Sequence, residues 1–434
     1  MKKSFVNVLI VSGLTLLSQL IGYLREMIFA YYLGTSLSLE AFQTAETVPL
    51  TFTQILISAV PLAFTPMLIR EQKDKEEKLI HNAIFMFGII MLFISIGVFS
   101  FSNVFVRILA PGFEGEKLLL TARIVTTLSP NILFLSLVAI YNSYLNAKKQ
   151  FAIPALTALL LNICIIIMQL LTKANVKLVA TGSVTGGALM FIVTSLYCRK
   201  HYGLKLDTKK VKIKSINEIT KSIFPVCIIS TFTSLNLVFD KFFASQLGGG
   251  AIAVLTYSYK IINLPVYLFV TSVTKVMLPD ITRLLIENNH RKLAQLIRKI
   301  MAFCIAGGGV FVIIMYVMGE WIVEVLFGRG AFNESDIIST VAVLKVYAFG
   351  VSGMALNSFF QSISYAKGRY MEPFVPLLVQ MLIYIVVCQV MLERWGVLAI
   401  VYGNVIASIM ATVVWIVILY RKYNINIFQR MNIE

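Results

Sequence analysis

Five cations stand inside otherwise apolar stretches of this sequence: Arg25, Lys241, Lys260, Lys275 and Lys345. A charge at the centre of a membrane span costs about 3 kcal/mol on insertion scales, so it faces a partner or a watery cavity. Arg25 lies at the end of a polar stripe, Thr15, Ser18, Gln19, Gly22, Arg25 and Glu26, spaced by helical turns. Thr233, Asn236, Asp240 and Lys241 make a second stripe, and Thr256, Lys260 and Asn263 a third. A guanidinium and an ammonium in a dry interface suit an anionic ligand, above all a phosphate. Each residue also has a plain reading. Arg25 beside Glu26, or Asp240 beside Lys241, is equally the pattern of a neutralised packing contact, and Lys275 and Lys345 sit close enough to span ends to snorkel. Lys260 has no acid on its own face, which favours cavity lining. Glu46 lies in an apolar stretch without a cation at helical spacing, which makes it a candidate partner for Arg25.

No hydrolytic chemistry is expected. The three histidines, His81, His201 and His290, fall in or beside polar connections, and no P-loop, H-E-x-x-H or nucleophile elbow occurs. An enzyme and a primary ATP-driven pump are therefore both disfavoured. Gly307-Gly308-Gly309 has no phosphate-binding context and reads as a place of close helix packing. The five cysteines are odd in number, form no C-x-x-C pair and read as small buried hydrophobes rather than as disulfide or metal ligands.

The elements that must hold these residues are membrane helices. Of 434 residues 58% are hydrophobic and 14% charged, too few polar residues to cover a soluble domain of this size. Apolar runs of the length that crosses a bilayer recur at about 6–32, 41–68, 81–108, 119–146, 151–172, 178–198, 221–247, 251–282, 297–326, 337–366, 374–392 and 397–420. Segments of about ten alternating residues, the mark of a barrel, are absent. The expected class is an all-α polytopic membrane protein of about twelve spans. The first run has no cleavage site and reads as a retained span. With the N-terminus in the cytoplasm, 26 of the 38 lysines and arginines fall in cytoplasmic connections and termini and seven outside. That asymmetry follows the positive-inside rule and places both termini in the cytoplasm. The net charge of +17 is then a topological signal and an attraction to anionic membrane lipids, with no nucleic-acid partner implied.

The two halves echo one another. Ala147-Lys148 with Phe151 and Pro154 recurs as Ala366-Lys367 with Tyr370 and Pro373, and Glu26, Phe29, Ala30, Leu33 and Gly34 recur as Asp240, Phe243, Ala244, Leu247 and Gly248. Thr65-Pro66 recurs loosely as Leu278-Pro279. The expectation is a duplicated six-span unit, residues 1–214 and 215–434, with a basic linker at about 199–221 and a pseudo-two-fold axis along the membrane normal. Pro49 and Pro265 are expected to unwind the second and eighth spans.

Ser18–Gly34, followed by Glu40-Ala41-Phe42 and Pro49, resembles the first two spans of the MurJ-type lipid II flippases, also called the mouse virulence factor family, within the MOP exporter superfamily. Asp240–Ser245, Tyr257–Lys260, Pro265 and Leu278-Pro279 resemble that family's seventh and eighth spans, and Leu326–Phe332 with Tyr347-Ala348 and Gly350 its ninth-to-tenth connection. The resemblance implies an undecaprenyl-pyrophosphate-linked peptidoglycan precursor moved to the outer leaflet of the bacterial cytoplasmic membrane. Its partners would be that lipid, membrane lipids and cell-wall synthesis proteins. Arg25 and Glu26 match the family's Arg-Asp pair, and Lys260 stands where an arginine is usual. Arg25, Glu26, Lys260, Gln19 and Glu46 are thus the candidate substrate-binding residues. The chain departs from the family in several places. The second span's arginine falls on Thr53-Gln54, Gln19 replaces an arginine, and the sodium site keeps Asp240 but has Gln380 and Tyr384 for its Asn and Asp. Asp240, Gln380 and Tyr384 are an ion or packing site, with sodium or membrane potential as the driving force and no other cofactor. Flippases for capsule, teichoic acid or exopolysaccharide intermediates, a cation-coupled drug exporter and a membrane glycosyltransferase are the rival readings.

Overall fold

The computed structural model describes the backbone of residues 2–70, 72–204, 213–287 and 289–423, with side chains except at 2–12, 15, 73–74, 213–215, 267–276, 278–279, 285–286 and 423. The side chains of Thr15, Lys275, Leu278 and Pro279 thus lie outside the described set. Every regular element among the described residues is an α-helix. In order they are α1 (Lys2–Leu33), α2 (Leu37–Arg70), α3 (Lys73–Ser100), α4 (Ser102–Leu109), α5 (Gly115–Leu128), α6 (Pro130–Ala147), α7 (Ala152–Leu171), α8 (Val176–Tyr202), α9 (Ile213–Ala244), α10 (Ala251–Ile286), α11 (His290–Phe327), α12 (Glu334–Ala348), α13 (Val351–Ala366), α14 (Phe374–Trp395) and α15 (Val397–Tyr423). Each expected span falls on one helix or on a consecutive pair. Among the described residues eight helices have the length and apolarity to cross a membrane, ten if each bent pair is one span. Large apolar side chains face outward, Val317 at 78% exposure and Leu171 at 75%. Such surfaces are stable only against lipid. The chain is an all-helical, multi-pass membrane protein.

Among the described residues two spans are broken, for different local reasons. The α5–α6 pair bends by 40° and the α12–α13 pair by 51°. Pro130 has no N–H for the carbonyl of Thr126, and the hydroxyl of Ser129 donates to that oxygen instead, at 2.9 Å. At the second break Gly350 caps α13, and a Cβ there would come within 3.1 Å of Val405. The turns after these pairs also match. Lys149 and Gly368 both have a left-handed backbone, φ 59° and 69°. Their N–H groups donate to Asn146 and Tyr365, and the next residues donate to Leu145 and Ser364. Every partner is displaced by the same offset that relates Ala147-Lys148 to Ala366-Lys367 in the sequence. The expected unwinding at Pro49 and Pro265 is absent: α2 runs helically through Pro49, Pro61 and Pro66, and α10 through Pro265. A proline removes one backbone bond, and threonine hydroxyls beside Pro49 bind nearby carbonyls: Thr47 donates to Gln43 and Thr53 to Pro49 itself.

The chain forms two compact units, Met1–Ala253 with Phe327–Asn333, and Val254–Leu326 with Glu334–Glu434. In the first, α2 is central and packs against α5, α6 and α9, while α1 packs on α7. Lipid is as apolar as a helix face, so close packing and polar contacts hold such helices together. Gly112 shows how close: a Cβ there would lie 2.0 Å from the carbonyl oxygen of Ser245, whose hydroxyl accepts from the Gly112 N–H. In the second unit α15 packs against α12, α13 and α14. Its core joins Ile281 of α10, Leu293, Ile297 and Ile300 of α11, Phe359 and Phe360 of α13, and Trp415 of α15. Of the expected glycine run, Gly308 is the contact point, with Ser352 of α13 against it. The five cysteines are free, and Cys198, Cys304 and Cys388 are buried.

Candidate functional site

A buried ionic cluster occupies the interior of the first unit. Arg25 is 8% exposed and Glu26 3%. The Arg25 Nη2 donates to Glu26 Oε1 at 2.7 Å, and Nη1 to Glu46 Oε1 of α2 at 3.4 Å. The partnership of Arg25 with Glu46 anticipated from the sequence is therefore formed. The backbone carbonyl of Arg25 accepts from Gln169 Nε2 of α7 at 3.1 Å, which pins this turn of α1. The Arg25 Nε is buried without a partner. One turn before Glu46 on α2, Gln43 is 6% exposed, and both atoms of its amide lack partners. Burying an amide unpaired costs about 1–3 kcal/mol, so this position has polar bonding capacity to spare.

Toward the start of α2, Glu40 is 1% exposed. Its Oε2 accepts from Lys117 Nζ of α5 at 2.6 Å, and its Oε1 from the backbone N–H of Ile252 at 2.8 Å. Ile252 lies in the first turn of α10, where free amides and the helix dipole favour a carboxylate. Lys117 also lies over the Phe113 ring, 3.9 Å from its centroid. Lys241 of α9 is buried, and its ammonium feels the carboxylates of Asp240, Glu40, Glu46 and Glu26. The cluster thus spreads over α1, α2, α5 and α9.

The other expected residues are placed as follows. Gln19 is exposed on α1, two turns before Arg25. Lys260 is half-buried on α10 of the second unit, with Thr256 half-buried and Asn263 exposed beside it. Lys345 is half-buried on α12, its ammonium 5.5 Å from the Tyr316 ring centroid. Asp240 is half-buried on α9. Gln380 is half-buried on α14, and Tyr384 is buried 1% exposed, its ring packed where a Cβ on Gly403 of α15 would come within 3.0 Å. That packing gives Tyr384 a structural duty against α15. Among the described residues no three His, Cys, Asp or Glu side chains converge as a metal site. Glu40 and Lys117 were not singled out in the sequence, because their contact spans 77 residues.

Buried charges held among apolar helices long enough to cross a bilayer define a polytopic membrane protein with a polar interior. The fold is shared with a multidrug resistance MATE family transporter of the MOP superfamily in an inward-facing conformation, at a TM-score of 0.80 and 13% identity over 96% of this chain and 98% of that one. A family model described as lipid II flippase MurJ matches residues 29–433, and the chain belongs to the MurJ family. A probable lipid II flippase MurJ of Buchnera aphidicola subsp. Acyrthosiphon pisum is 27% identical over 372 residues, 82% of this chain and 72% of that protein. The structure of a lipid II flippase MurJ in an inward closed conformation superposes with a TM-score of 0.83 and 25% identity, covering 94% of this chain and 87% of the other.

Proposed function

We propose that this protein is a lipid II flippase, a transporter and not an enzyme, that carries the undecaprenyl-pyrophosphate-linked peptidoglycan precursor across the bacterial cytoplasmic membrane. The family match over nearly the whole chain carries this reading. Arg25, fixed in a buried place with a spare donor, is the group that meets the pyrophosphate, with Glu26 orienting it. Lys260 of α10 and Gln19 of α1 are further candidate contacts for the anionic head group. Alternating access of two six-span lobes moves the head group, and both termini lie in the cytoplasm. The driving force is sodium or the membrane potential, acting on the buried charges. Cell-wall synthesis proteins are the natural partners for its product.

The test is direct. The protein should rescue a strain depleted of its lipid II flippase and move labelled lipid II between leaflets of reconstituted vesicles. Failure of both, with another polyprenyl-linked saccharide accumulating on deletion, would assign it to that saccharide.

A further inference from the structure

Arg25 carries one short ion pair and one long one, and the two carboxylates are not equivalent. Glu26 is its chain neighbour, nearly inaccessible, and bound at 2.7 Å. Glu46 comes from a different helix, its side chain is 22% exposed, and it is held at 3.4 Å. The trio of Arg25, Glu26 and Glu46 carries a net negative charge, so an arriving pyrophosphate is repelled while Glu46 stays in place. The guanidinium itself is anchored through Glu26 and through the Gln169 bond to its backbone. Glu46 is thus the movable member, and it has somewhere to go. The buried ammonium of Lys241 already feels its charge from α9.

Resting on the flippase reading above, we propose that Glu46 is an internal counter-ligand that the substrate's pyrophosphate displaces from Arg25. The carboxylate occupies the Nη1 edge in the empty protein, swings toward Lys241 when the anion binds, and returns to expel it. Affinity is sacrificed for release, as a carrier requires: a site that only grips does not turn over. Glu46 is then a specificity-determining residue, because it sets how much anionic charge a head group must carry to win Arg25.

The experiment uses the full chain in lipid nanodiscs and vesicles with lipid II as the probe. Glu46→Gln keeps the shape and removes the charge. It should bind lipid II about fivefold more tightly, the size of a weak ion pair, while the maximal flipping rate falls, so KM and kcat drop together. Glu46→Asp, which keeps the charge, should restore wild-type behaviour. Unchanged or weaker binding by Glu46→Gln, with Arg25→Lys binding less than wild type, would overturn the counter-ligand and leave the Arg25 grip standing. Wild-type binding by Arg25→Lys and Arg25→Ala alike would overturn the grip and the counter-ligand with it.

Discussion

The two compact units solve the same problem, joining helices inside lipid, with different chemistry. In the first, α1, α2, α5 and α9 are tied by charges: Arg25 to Glu26 and Glu46, Lys117 to Glu40, with Lys241 among them. In the second, the mid-span ties between α13 and α15 are neutral, and a charged tie stands near their ends, where buried Glu372 accepts from Ser364 of α13 at 3.0 Å and pairs with Lys422 of α15 at 3.6 Å. Asn357 Nδ2 donates to the Ser408 carbonyl at 2.9 Å, and the Thr412 hydroxyl donates to Asn357 Oδ1 at 3.2 Å. Tyr347 of α12 accepts from Asn404 of α15 through its hydroxyl, at 3.4 Å. Neutral bonds between membrane helices are worth about 0.6 kcal/mol on average, because the separated helices find other partners. A buried charge has no such alternative, and stripping it of its counter-ion costs about 3–5 kcal/mol. The first unit therefore gathers its buried charges in one cluster across four helices, and that cluster is the expensive part of its polar interior to alter.

Substitution tests that contrast from its largest effect downward. Arg25→Ala should abolish rescue of a flippase-depleted strain and lower stability by about 3–5 kcal/mol in thermal unfolding, since Glu26 and Glu46 lose their cation. Lys117→Met should cost about 2 kcal/mol, and adding Glu40→Gln should recover part of it, because the orphaned charge is then removed. Asn357→Ala in the second unit should cost about 1 kcal/mol and leave flipping intact. A loss from Asn357→Ala as large as that from Arg25→Ala would erase the distinction between the units. The matched turns offer a finer comparison. Gly368→Ala should destabilise by about 1 kcal/mol, while Lys149→Gly should stabilise by a similar amount, because both positions need a left-handed backbone.

The smallest effect concerns charge in those same turns. Lys148 is paired with Glu76 at 2.6 Å. At the matching position burial pushes the Lys367 amine down to about 8, helped by the nearby Arg369 and opposed by Glu372. The folded amine thus loses its proton before the unfolded one does. Between pH 8 and about 10.4 the unfolded chain binds more protons, so this group makes stability rise with pH. Unfolding measured across that window should flatten in Lys367→Met, and an unchanged slope would rule the assignment out.

Much of the helical framework was legible in the sequence because lipid imposes a length and a polarity on every span. Arg25 was legible for the same reason: a cation in an apolar run announces itself, and Glu46, an acid in another such run, announced its partner. Glu40 and Lys117 were quieter. Glu40 sits near a helix start and Lys117 in a connection, places where charges are ordinary, and only the fold brings them together and sets the Ile252 amide against the carboxylate. The effect of Pro49 was misjudged because a proline removes a single backbone bond, a loss that a long packed helix tolerates, as α2 does three times over.

The bends in the two broken spans differ in what they permit. At Ser129-Pro130 no amide exists to complete a straight helix, and the orphaned Thr126 carbonyl is already served by a hydroxyl. At Phe349-Gly350 every amide is present, and the Gly350 N–H is lent to Tyr347, one residue short of its α-helical partner. Straightening there would exchange one backbone bond for another, whereas at Pro130 no backbone donor exists to exchange.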